Sequence, residues 1–208
     1  MEDYLTEKEQ WDRVLLWLRE QGPWMVGAVA ITALAFGGWR WWQSHIEQRN
    51  LAAEARYEQA LEAFGRNDLA GGIKIADALI KDYPSTPYAD QASLAAARVQ
   101  VEDKQLDKAA TRLSAVLQGT QDPELALIAR LRLARVQLAM GRADDALKTL
   151  NAVNPGAFAA RYAEVRGDVL LAKGDRDGAL KEYRNARGDS ATLDGGLLDL
   201  KISALAHS

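Results

Sequence analysis

The chain has 208 residues, and its 26 basic and 29 acidic side chains leave a formal charge of −3. That balance lacks the concentrated Lys and Arg that displace counterions from nucleic acid. Cysteine is absent, which excludes disulfides, thiolate metal sites and cysteine nucleophiles, and two histidines, His45 and His207, are too few for histidine-rich metal or general-base chemistry. No Walker loop or dinucleotide fingerprint occurs, so the expectation is a protein that is not an enzyme and carries no cofactor and no metal. All six tryptophans fall in the first 42 residues.

Residues 1–22 form an acidic leading tail. Thr6, Glu7, Lys8 and Glu9 read as a capping box, in which the Thr hydroxyl satisfies an early helix amide and Glu9 reaches back. Trp11, Val14, Leu15 and Leu18 recur at one-face helical spacing. The spacing predicts an amphipathic helix that lies on a bilayer surface or docks a partner. Gly22 is expected to end it and Pro23 to open the next helix at its first turn.

From Gln21 to Trp39 no side chain is charged. Residues 23–42 predict a transmembrane helix, since 20 residues at about 1.5 Å each give roughly 30 Å, one hydrocarbon thickness. Trp24 at one end and Trp39, Trp41 and Trp42 at the other are the expected interface anchors, with Arg40 extending its guanidinium into the headgroups. Ala33-Leu34-Ala35 fits a small-x-small cleavage site. Against cleavage stand the long acidic segment before the apolar run and the tryptophan cluster that cutting after Ala35 would leave in water. The reading is therefore an uncleaved signal anchor. Lys8, Arg13 and Arg19 before the span match Arg40, Arg49 and Arg56 after it, so charge alone leaves orientation open. The short tail and long following domain favour a cytoplasmic tail and a translocated C-terminal domain. Residues 43–52 are a juxtamembrane connector.

Residues 53–208 are rich in Ala, Leu, Arg, Asp and Glu at helical period, and internal similarity is their main signal. Leu94-Ala95-Ala96-Ala97-Arg98-Val99-Gln100 aligns with Leu131-Arg132-Leu133-Ala134-Arg135-Val136-Gln137 at an offset of 37, followed by Ala109 and Ala146. The next unit repeats the scheme at an offset of 33, with Gly167, Gly174 and Ala179 in place of Ala134, Gly141 and Ala146. A weaker unit runs from about Ala53 to Pro84. Small residues let two antiparallel helices approach, Gly141 and Gly174 permit a left-handed turn, and Asp144, Asp175 and Asp177 meet the positive end of the second helix. Asp194 to Ala206, with Leu197, Leu198, Leu200, Ile202 and Leu205, predicts a terminal capping helix.

These positions resemble the tetratricopeptide repeat, with its small residue on the first helix, Gly at the turn, Ala five residues on, and a terminal Pro where Pro84 stands. Lys104 in place of the turn Gly and Gly72 in place of the Ala depart from it. The fold class is thus all-α: one N-terminal transmembrane helix, a tetratricopeptide-like solenoid and a C-terminal cap. In such repeats the exposed positions of the first helix line a concave binding face, here Tyr57, Leu94, Arg98, Leu131, Arg135, Asp168 and Leu171. Arg98 and Arg135, at equivalent positions, are suited to a carboxylate or an extended peptide; the plainer alternative is surface ion pairs.

The chain as a whole is similar to the YfgM-like ancillary subunits of the SecYEG translocon. The resemblance rests on the order of tail, span and repeats, on Gly37-Gly38-Trp39-Arg40-Trp41-Trp42-Gln43-Ser44-His45, and on the third and fourth repeats. They contain Ala146-Leu147-Lys148-Thr149-Leu150, Arg166-Gly167-Asp168 and Lys173-Gly174-Asp175. It implies a single-pass bacterial inner-membrane protein with a periplasmic repeat domain. It further implies association with SecYEG and with the membrane-anchored periplasmic chaperone PpiD, assisting newly translocated client proteins. The other reading is an envelope-assembly scaffold, anchored or released, that grips a cell-wall or outer-membrane partner.

Overall fold

The computed structural model describes residues 7–188 and 195–206; within 7–23 the described side chains are Trp11, Leu15, Trp17 and Arg19. The elements are α1 (Glu7–Gly65), α2 (Leu69–Asp82), α3 (Pro87–Glu102), α4 (Leu106–Gly119), α5 (Pro123–Ala139), α6 (Ala143–Asn151), a 3-10 turn (Gly156–Phe158), α7 (Ala159–Ala172), α8 (Arg176–Gly188) and α9 (Gly195–Ala206). No strand occurs among the described residues. The Thr6–Glu9 capping box, the Val14 and Leu18 side chains, Asp194 and His207 lie outside the described residues. The chain divides into two units, Met1–Leu51 and Ala52–Ser208.

In the first unit α1 passes through Gly22 and Pro23 without ending, which corrects the expectation of two helices. A proline withdraws one donor from the ladder, and one lost bond does not stop a helix that already propagates on both sides. Trp24, Val26, Ile31 and Leu34 are 82, 70, 70 and 76 % exposed. Among the described residues no helix is long and apolar enough to cross a membrane. Gly27, Gly37 and Gly38 contribute no apolar side chain, and Trp39, Arg40, Trp41 and Trp42 close the run with interfacial or charged groups.

In the second unit, four antiparallel pairs follow one another: the end of α1 with α2, then α3 with α4, α5 with α6, and α7 with α8. Each first helix stops in the same way. Asn67, Lys104, Gly141 and Gly174 take φ of 63°, 60°, 76° and 85°. The next amide then donates to the carbonyl five residues back: Asp68 to Ala63 (2.9 Å), Gln105 to Gln100 (2.7 Å), Arg142 to Gln137 (2.8 Å) and Asp175 to Leu170 (2.9 Å). This is the Schellman arrangement, which satisfies the carbonyls that a helix end leaves unpaired. Lys104 therefore adopts the conformation of the glycine it replaces, and the second repeat has the same turn as the others. Asp68 and Asp175 then cap α2 and α8, accepting from Gly71 and Gly178 at 2.9 Å each.

Small residues set the closeness of each pair. Ala109, Ala146 and Ala179 are fully buried, as are Ala134 and, within a few per cent, Ala60 and Ala97. At Gly167 an added Cβ would lie 2.5 Å from the Tyr183 ring, and at Gly72 it would lie 2.4 Å from the Phe64 ring. These two glycines make room for an aromatic from the paired helix. Each pair is also pinned by polar contacts. Gln100, almost wholly buried, accepts from Arg112 at 3.3 Å, and Gln137 accepts from Thr149 at 2.8 Å. The same spacing thus recurs in neighbouring repeats.

The core is a chain of clusters, each joining consecutive layers. Ala60, Leu79 and Ala92 join the first two repeats. Leu94, Leu113 and Leu133 join the second and third, and Leu131, Leu150 and Tyr162 the third and fourth. Ala163, Tyr183 and Leu198 fasten α9. The Tyr162 hydroxyl donates to the Leu127 carbonyl at 2.9 Å, tying α7 to α5.

Candidate functional site

The first helices of the repeats build the site. Tyr57, Leu61 and Phe64 from α1, Leu94 from α3, and Leu125 and Ile128 from α5 give apolar walls to a groove of about 470 Å³, and Arg98 and Arg132 stand at its edge. A second depression of about 250 Å³ adjoins it, shares Arg98 and Arg132, and adds Arg135 over Val101 and Leu113. Helix periodicity explains the apolar side, because Leu94 and Val101 recur at a seven-residue step on α3 and point along one face.

Three guanidiniums thus converge from α3 and α5. Arg98 reaches Glu102 at 3.2 Å, and its side chain stays 71 % exposed, an i,i+4 pair of small energetic weight. Arg132 donates to the Leu94 carbonyl at 3.3 Å. Burial, and then the charges of Arg98 and Arg135, pull the Arg132 guanidinium below the usual arginine value; it remains charged at any physiological pH. Arg135 is exposed and has no carboxylate within ion-pair distance among the described residues.

The expected face residues separate into three groups. Tyr57, Leu94 and Arg98 line the groove, and Arg135 lies in the adjoining depression. Leu131 is 5 % exposed, packed with Leu150 and Tyr162 in the core, and does not reach either depression. Asp168 accepts from the Tyr183 hydroxyl and from Lys201 of α9, both at 2.8 Å, so the capping helix engages it; Leu171 is exposed away from the groove. Repeat alignment missed Arg132, because its equivalent one repeat earlier is Ala95. The signal that finds it is the i,i+3 step to Arg135 on one helix face. Trp24, Trp39, Arg40, Trp41 and Trp42 are all exposed in the first unit.

A larger depression of about 1080 Å³ lies between α2 and α4, bordered by Asp77, Asp107 and Arg112. Three of its charges are paired across repeats or helices: Arg112 with Asp77 at 2.8 Å, and Asp107 with Arg142 at 3.6 Å. Among the described residues no group of three or more His, Cys, Asp or Glu is placed to hold a metal ion.

Stacked helix pairs, a repeated left-handed turn, small residues at each crossing and an open groove on the first-helix side define a tetratricopeptide-like repeat protein. A family model for a tetratricopeptide repeat-like domain matches residues 16–207. The ancillary SecYEG translocon subunit of Escherichia coli (strain K12) is 34 % identical over 99 % of this chain and 100 % of its own length. The protein of that name from Aggregatibacter actinomycetemcomitans is 30 % identical over 97 % of this chain and 98 % of its own. Among solved structures, a tetratricopeptide repeat protein from Parabacteroides merdae matches with a TM-score of 0.59 at 15 % identity, over 76 % of this chain and 61 % of that one. MamA from Desulfovibrio magneticus matches at 0.57 and 14 % identity, over 74 % and 89 %. These two share the fold. The chain belongs to the family of ancillary SecYEG translocon subunits.

Proposed function

We propose that this protein is a membrane-tethered adaptor at the SecYEG translocon. In this reading residues 23–42 anchor the chain in the bacterial inner membrane, with the tail in the cytoplasm and the repeats in the periplasm. The array holds the membrane-anchored chaperone PpiD, or a newly translocated client, beside the channel. A tether raises local concentration at the channel exit without demanding tight affinity. The observation that carries the reading is the end-to-end match, tail and apolar run included, to relatives named ancillary SecYEG translocon subunit. The uncovered apolar side chains between Trp24 and Trp42 support the anchor, because such a patch on a soluble surface marks an interaction site.

Site-specific photocrosslinking in living cells tests it. A photoreactive residue at position 98 or 135 is expected to capture SecYEG, PpiD or translocated proteins, and one at position 168, engaged by α9, to capture less. Adducts dominated by cell-wall or outer-membrane proteins would replace this reading with an envelope-assembly scaffold.

A further inference from the structure

We propose that the first-helix groove binds an extended acidic-apolar peptide, with two apolar side chains against Tyr57 and Leu94 and two carboxylates on Arg132 and Arg135. The inference deepens the adaptor reading by naming the chemistry of the partner segment, and it rests on that reading only for the partner's identity.

The argument begins with charge. Arg98, Arg132 and Arg135 gather around two adjoining depressions, and among the described residues Glu102 is the one carboxylate paired to any of them. A surplus of positive charge is thus held close together, and Arg132 bears the electrostatic effect of both neighbours. Like charges so placed repel, and an incoming carboxylate relieves the repulsion while forming charge-assisted hydrogen bonds. Geometry narrows the ligand. Arg132 and Arg135 are three apart on α5, which puts their Cβ atoms about 5–6 Å apart. Alternate residues of an extended chain face the same way at about 6.6–6.8 Å, so acidic residues at i and i+2 match the pair. The adjoining groove is walled by Tyr57, Phe64, Leu94 and Ile128. The same face of the peptide therefore presents apolar side chains at the two preceding alternate positions. Nucleic acid does not fit, since its phosphates would meet aromatic and aliphatic walls over most of the groove.

The test uses the full chain in detergent micelles and three fluorescent peptides: Phe-Ser-Leu-Ser-Glu-Ser-Glu, the same peptide with Gln for both Glu, and the same with Lys for both. Anisotropy at about 50 mM salt is expected to show the Glu peptide binding about tenfold more tightly than the Gln peptide, with the gap closing near 500 mM. The Arg132→Ala/Arg135→Ala variant is expected to bind the Glu peptide no better than the Gln peptide. Arg135→Ala alone, at an exposed position, should lose at least half of the preference and guards against a misfolded double variant. Equal binding of the Glu and Gln peptides, or a preference that survives both variants, overturns the proposal. A preference that holds while crosslinking from positions 98 and 135 captures neither SecYEG nor PpiD nor translocated proteins leaves this inference standing and removes the adaptor role.

Discussion

Lys104 and Gly72 both break the repeat pattern, and restoring the pattern at the two sites has opposite consequences. Lys104 sits at φ 60°, where a Cβ costs about 1–2 kcal/mol, part of which glycine's greater freedom in the unfolded chain offsets. Lys104→Gly is expected to stabilise the protein by about 0.5–1 kcal/mol, read as a higher urea midpoint at unchanged slope. Gly72→Ala places a methyl 2.4 Å from the Phe64 ring and is expected to destabilise by about 1–3 kcal/mol. Adding Phe64→Leu should return part of that loss, and a double-mutant cycle that finds the two changes additive would refute the contact. The turn was legible in the residues, because Gly141 and Gly174 announce a left-handed backbone. The reason for Gly72 was not, because the ring that needs its space comes from eight residues earlier on another helix.

At the scale of elements, α9 is the piece whose attachment is electrostatic as well as apolar. Lys201 donates to Glu164 at 2.9 Å and to Asp168 at 2.8 Å, and Asp168 also accepts from Tyr183. Burial lowers the Lys201 value, but its bonds to Asp168 and Glu164 outweigh that, and the ammonium holds its proton above the usual lysine range. Burial, and then the bond to Asp168, push the Tyr183 phenol up as well. Both groups bind protons more tightly folded than unfolded. Their contribution to stability is therefore complete below about pH 10 and is lost as pH rises through the raised values. Thermal melts from pH 8 to 12 should fall only in that upper range. Lys201→Met keeps the aliphatic stem but leaves two partly buried carboxylates facing each other, at an expected cost of about 1–3 kcal/mol at pH 8. Its stability should then vary less with pH above 10 than the wild type's. An unchanged profile would remove Lys201 from the cap. A capping helix was legible from Leu197, Leu198 and Leu200, of which Leu198 is the buried one. Its hold on Asp168 was not, since the partners are 33 residues apart.

For the whole molecule, the two units pose different problems. The repeats solve theirs internally, since each apolar cluster is covered by the next layer, as expected of a quasi-one-dimensional array. The large apolar side chains from Trp24 to Trp42 are exposed. If this run is an anchor, alkaline carbonate should leave the full chain in the membrane pellet, and a soluble form beginning at Phe36 would refute the tether. Residues close in the chain determined the repeat number, the turns, the caps and the charge-free run, because helix period, left-handed glycine and carboxylate capping act over a few residues. Tertiary packing alone decided that Leu94 and Leu131, equivalent and both buried, join different clusters, and that Leu94 also borders a groove. It also brought Arg132 to Arg98 and let α9 take Asp168. Periodicity assigns a side chain to a face of its helix, but whether that face meets a neighbour or water depends on elements dozens of residues away.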